Sequence, residues 1–224
     1  MIKMVVFDMA GTTVDEDNVV YKTLCKTINA AGGVHCTLEQ VLHIGAGKEK
    51  LAAIKDILAA HGIEMNYSLA QEIYQSFVTE LAIAYDSFEL KPQPGAEDMF
   101  RTLHTRNIAV VLNTGYNAAT ANSILQKLGW QTGAQIDALV TASDVVNNRP
   151  QPDMILLAMQ QFGISDASEV VKVGDSAIDI EEGQNAGCGL TVGVTTGAHS
   201  FEQLLAANPD YIIESLEALN ALIP

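Results

Sequence analysis

Short β-branched runs of three to five mostly apolar residues recur along most of this chain, and segments of helical period separate them. The runs fall at residues 4–7, 108–112, 138–141, 170–173, 190–194 and 211–213, and helical patterns lie between them at 118–128, 154–162 and 200–207. A strand that is apolar on both faces must be covered on both faces, and alternation with helices supplies that cover. The expected fold class is therefore α/β: a Rossmann-like, doubly wound parallel sheet.

One stretch breaks the rhythm. From about residue 18 to residue 88 there are only helical patterns, punctuated by Gly32-Gly33, Gly45, Gly47 and Gly62. Acidic Val14-Asp15-Glu16-Asp17 precedes it, and Leu90-Lys91-Pro92-Gln93-Pro94-Gly95 follows it. The expected organisation is a core formed by residues 1–16 plus 90–224, with an all-helical cap inserted at 17–89. A chain of 224 residues is long enough for one large domain carrying a smaller one.

The net charge of −15 would repel nucleic acid and anionic membranes, so neither is expected as a partner. A small anionic substrate would need cations or a metal at its site. No apolar run approaches the length of a membrane span, and the N-terminus does not resemble a signal peptide, so the expected location is the cytoplasm. Cys25, Cys36 and Cys188 show no paired spacing, which suggests neither a disulfide framework nor a zinc site. The five histidines show no ligand spacing with acids; His43 and His199 flank loops that could touch substrate.

Open parallel sheets bind ligands at the carboxyl ends of their strands, and four polar clusters follow strands here. Asp8, in Phe7-Asp8-Met9-Ala10-Gly11-Thr12-Thr13, could be a nucleophile, a metal ligand or a turn former. Asn113-Thr114-Gly115-Tyr116 offers a hydroxyl and backbone N–H groups before a helix, suited to a phosphate oxygen or to simple capping. Arg149, in Asn147-Asn148-Arg149-Pro150, is either a site cation or a solvated one. Asp175 and Asp179, four residues apart, could bind a hard cation through oxygen. Taken together and in this order, they supply what phosphoryl transfer to a carboxylate needs: a nucleophile, groups that hold the transferring phosphoryl, and acids for Mg²⁺.

The set resembles the four motifs of the haloacid dehalogenase superfamily, and the helical insert resembles that superfamily's mobile cap. The resemblance implies Asp8 as nucleophile, Thr114 and Arg149 as catalytic partners, and Mg²⁺ held by Asp8, the Ala10 carbonyl, Asp175 and Asp179. Retention of the acidic pair favours attack on phosphorus over attack on carbon. Where phosphatases of the superfamily place an acid–base Asp, this chain has Ala10.

Within the superfamily, the opening motif, Arg149, Thr114-Gly115-Tyr116 and the run Glu182-Gly183-Gln184-Asn185-Ala186-Gly187 are similar to the phosphonoacetaldehyde hydrolase (phosphonatase) family. That resemblance implies substrate contacts from Thr12, Gly115 and Tyr116, although the Tyr116 ring could equally be core. It also implies a cap lysine that forms a Schiff base with an aldehyde, expected at Lys48 in Gly45-Ala46-Gly47-Lys48, or else a Lys48 that only binds the substrate anion. Lys50 and the helix N-terminus would both disfavour the charged amine. The expected function is Mg-dependent cleavage of a carbon–phosphorus bond. The alternatives are a phosphatase of small metabolites such as phosphoglycolate or sugar phosphates, and a non-catalytic binding protein. A homodimer through the cap is a further expectation.

Overall fold

A computed structural model describes residues 1–31, 33–63 and 67–223. Gly32 of the expected helix punctuation and Pro224 of the tail lie outside the described residues. The strands are β1 (Met4–Asp8), β2 (Val14–Asp15), β3 (Lys91–Pro92), β4 (Ala109–Thr114), β5 (Ala138–Thr141), β6 (Val170–Gly174), β7 (Leu190–Val194) and β8 (Tyr211–Ile213). The helices are α1 (Val19–Ala30), α2 (Leu38–Gly45), α3 (Lys50–Ala60), α4 (Tyr67–Ser87), α5 (Ala96–Thr105), α6 (Ala118–Leu128), α7 (Asp153–Gln161), α8 (Ala177–Ala186) and α9 (Phe201–Ala206).

Six strands form one parallel sheet in the order β5-β4-β1-β6-β7-β8. Every residue of β1 is buried, as a central strand covered on both faces requires. The chain leaves β1 to build β4 and β5 on one side, then crosses back to build β6 to β8 on the other. The crevice at this reversal opens beyond the carboxyl ends of β1, β4 and β6, where Asp8, Thr114 and Asp175 stand.

Local chemistry fixes several helix ends. Asn117 caps α6 by accepting from the Thr120 N–H at 2.9 Å, and Gly129 ends it in the left-handed conformation. Thr37 and Gln40 form a reciprocal capping box at the start of α2. Helices α1 to α4 occupy the interval between β2 and β3, and their apolar faces (Val20, Leu24, Ile54, Ile57, Ile73, Phe77 and Leu81 among them) are buried together. No helix among the described residues is long and apolar enough to cross a membrane.

The sequence did not suggest the antiparallel ribbon β2–β3. Val14 pairs with Pro92 and Asp15 with Lys91, and the Gln93 N–H donates to the Thr13 carbonyl at 2.8 Å. The two crossings between core and insert are thereby tied side by side.

Candidate active site

Asp8, the last residue of β1, is 5% exposed. One of its neighbours comes from a loop distant in sequence. Arg149, from the loop after β5, donates from Nη1 to Asp8 Oδ1 at 2.7 Å. Its Nε donates to Glu182 Oε2 at 2.9 Å, and its Nη2 to the Asn113 carbonyl and side-chain oxygens. The guanidinium is thus held as a fork by four hydrogen bonds to three residues. Burial works against its charge, but Asp179, Glu182 and Asp8 outweigh burial and keep it protonated.

Asp175 and Asp179 project from the end of β6 and the first turn of α8. One oxygen from each of Asp8, Asp175 and Asp179 lies within 4.8 Å of the others. Burial and the charges of Asp8 and Asp179 push the Asp175 carboxyl up to about 8. Burial and Asp179 also raise Asp8, against Arg149. Asp179 goes the other way: burial is outweighed by Arg149 and Lys172, which hold it low.

The cluster suits a divalent cation. The oxygen donors are hard, and Asp179 Oδ1 is buried without a hydrogen-bond partner although two cations stand near it. The buried carboxylates Asp8, Asp175, Asp179 and Glu182 face the buried cations Arg149 and Lys172. Four negative charges against two positive ones leave a deficit of two, which a divalent ion would neutralise.

Sequence reasoning passed over Lys172, Glu182 and Asn113 as site residues. Lys172 is fully buried within β6 and donates to Asn113 Oδ1 at 2.6 Å, while its Nζ lies 3.0 Å from Asp179 and 3.2 Å from Glu182. A lysine inside an otherwise apolar strand was the available signal, because an uncompensated charge there would be prohibitive.

The expected substrate contacts divide. The Thr12 hydroxyl donates to Asp175 Oδ1 at 2.9 Å, so it orients a carboxylate instead of facing a substrate. The Ala198 N–H holds the other Asp175 oxygen at 2.6 Å. Thr114 is buried, and its hydroxyl accepts from the Tyr116 N–H at 3.2 Å. Gly115 is required by packing: a Cβ there would lie 2.5 Å from the Lys48 carbonyl oxygen. Gly47, with φ +70°, is equally close to Ser176 and Ile178. The loop 45–49 therefore lies directly on the strand ends, and Arg149 Nη1 reaches the Gly47 carbonyl at 3.3 Å.

Lys48 and Lys50 are placed differently. Its carbonyl lies over the site, but its ammonium turns away to Asp56 Oδ2 at 2.6 Å, with 29% of the side chain exposed. It borders a cleft of about 310 Å³ shared with His43, Glu181 and His199. Lys50 takes the inward position. It is buried, donates to the Lys48 carbonyl at 2.8 Å, and rests between the rings of Tyr21 (5.4 Å) and Tyr116 (5.3 Å). Burial lowers its amine to about 8, against Asp8 and in the same direction as Arg149. The cause is the register of α3: Glu49 is its N-cap, accepting from the Leu51 and Ala52 N–H groups, so Lys50 is the first helical residue and faces inward.

The profile of the haloacid dehalogenase-like hydrolases matches residues 2–187. The chain belongs to this family. The hydrolase is similar to a phosphonoacetaldehyde hydrolase of Bacillus cereus, with 28% identity over 97% of this chain and 86% of the relative. Two solved structures share its fold. A hydrolase from Pseudomonas syringae aligns with a TM-score of 0.85 at 22% identity, covering 98% of this chain and 97% of the other. A phosphonoacetaldehyde hydrolase-like protein from Oleispira antarctica aligns with a TM-score of 0.84 at 24% identity, covering 99% and 91%.

Proposed function

We propose that this hydrolase cleaves the carbon–phosphorus bond of phosphonoacetaldehyde or a closely related phosphonate aldehyde, with Lys50 as the imine-forming amine. The reading treats residues 1–16 plus 90–224 as the catalytic core and 17–89 as its cap. The observation that carries it is the pairing of Ala10 with Lys50. The core lacks a carboxylate where the leaving group would need an acid, and the insert delivers a buried amine poised near neutrality to the same crevice.

An amine that is partly neutral at physiological pH can attack an aldehyde carbonyl, and loss of water then gives an iminium. The iminium withdraws the electron pair of the carbon–phosphorus bond as an Asp8 oxygen bonds to phosphorus, so carbon departs as an enamine and needs no proton at that moment. Arg149, between Asp8 and Glu182, is placed to orient the nucleophile and to meet the phosphoryl oxygens. Asp8, Asp175, Asp179 and the Ala10 carbonyl would hold Mg²⁺, which supplies charge neutralisation between two anions. Water then releases phosphate from Asp8, and hydrolysis of the enamine returns the Lys50 amine.

Reductive trapping tests this. Borohydride added during incubation with phosphonoacetaldehyde should attach the aldehyde to Lys50, located by peptide mass spectrometry. An adduct at Lys48 alone would refute the assignment. Phosphate release from sugar phosphates that survives Lys50→Ala would favour a phosphomonoesterase instead.

A further inference from the structure

Glu16 lies at the end of the first crossing, just after β2, and is 2% exposed. It belongs to none of the four strand-end clusters, yet it is fully engaged. Its Oε2 accepts from the Val20 N–H of α1 at 2.8 Å and from the Tyr85 hydroxyl of α4 at 2.9 Å. The Tyr85 hydroxyl also meets the Tyr116 hydroxyl at 2.7 Å, and the two rings pack edge to face with centroids 6.5 Å apart. The Tyr116 ring is one of the two surfaces on which the Lys50 ammonium rests. A continuous set of contacts therefore runs from the crossing, through the insert, to the core loop after β4, and ends under the amine.

We propose that Glu16 is a positioning residue for Lys50: through Tyr85 it fixes the Tyr116 ring beneath the amine, and its carboxylate adds to the negative charge around that amine. The proposal rests on the reading of Lys50 as the imine-forming group. It adds a residue outside the four strand-end clusters that governs when the group is reactive.

The charges around the pair fix the direction. Lys50 faces Asp8 from β1, Arg149 from the loop after β5, Glu49 beside it, Glu16, and the rings of Tyr21 and Tyr116. Glu16 faces Lys50 and Lys22 as cations and Tyr85 as hydrogen-bond donor. Burial pushes the Glu16 carboxyl up to about 7, so it becomes fully charged only as the pH nears the range in which Lys50 titrates. A charged Glu16 favours the ammonium. It therefore delays deprotonation of the amine and limits the neutral fraction at a given pH.

The test is a titration of the full chain carrying ¹³Cε-lysine, followed by NMR without substrate, with the Lys50 signal assigned by its loss in Lys50→Arg. Glu16→Gln keeps an acceptor for Val20 and Tyr85 and removes only the charge. It should lower the Lys50 midpoint and move the acidic limb of kcat/KM by the same amount. Tyr85→Phe, which takes a donor from the carboxylate, should move the midpoint the same way by less. A Lys50 midpoint unchanged in whichever of the two variants folds would overturn the proposal, as would a fall in the plateau rate with no movement of the limb. Because the titration needs no turnover, failure to cleave phosphonoacetaldehyde would refute the proposed reaction and leave this measurement standing.

Discussion

Arg149 Nη1 lies 2.7 Å from Asp8 Oδ1, and both side chains are almost entirely out of solvent. The same guanidinium braces Glu182, so the group that holds the Asp8 carboxylate is itself fixed by a second carboxylate. A point charge cannot reproduce that fork. Arg149→Lys should fold, lose about 10²-fold or more in kcat/KM, and leave KM less affected than kcat. Steady-state phosphate release compared between the two proteins measures this.

Lys172 is buried among Asn113, Asp179 and Glu182. Removing one partner from such a set leaves uncompensated negative charge in the interior, a loss of about 3–5 kcal/mol. Lys172→Met should show it as a lowered urea midpoint with an unchanged slope. A loss below about 1 kcal/mol would mean that the carboxylates are neutral in the folded chain.

The sheet was legible in the sequence because its strands are short, mostly apolar runs that alternate with helical patterns. The structure extends those runs by a residue or two, to Asp8, Thr114 and Gly174. The β2–β3 ribbon was not legible, since two-residue strands carry no periodicity. Asp8, Arg149, Asp175 and Asp179 could be read because Asp8 ends β1 and the other three lie in the segments that follow β5 and β6. Lys172 was hidden inside an apolar run. That Lys50 and not Lys48 is buried turns on which residue caps α3, and helix boundaries are set by capping geometry that spacing alone does not fix. The partnership of Glu16 with Tyr85 spans 69 positions and leaves no local trace.

The pH dependence of stability follows from Lys50. Its folded value of about 8 lies below the ordinary lysine value of 10.5, so the unfolded chain binds the extra proton between these limits. The contribution is complete above pH 10.5 and is lost as the pH falls through 8. Relative to Lys50→Met, the wild-type chain should gain up to about 3 kcal/mol between pH 8 and 10.5. Urea unfolding of both proteins at several pH values measures the difference.

The three-carboxylate cluster predicts a response to divalent cations. Mg²⁺ should raise Tm in a concentration-dependent way, and chelation should abolish phosphate release. Asp175→Asn should remove most of the thermal increment, because one of the three carboxylates is gone. Differential scanning calorimetry with and without Mg²⁺ reads the effect.

The central claim is that attack by Asp8 on phosphorus is coupled to an imine on Lys50. Its most direct test is phosphate release from phosphonoacetaldehyde by the wild-type chain, Asp8→Asn, Lys50→Ala and Lys48→Ala. The account predicts release by the wild type, none by Asp8→Asn, a loss of at least about 10²-fold in Lys50→Ala, and less than about tenfold in Lys48→Ala. Equal rates in Lys50→Ala and wild type would contradict it.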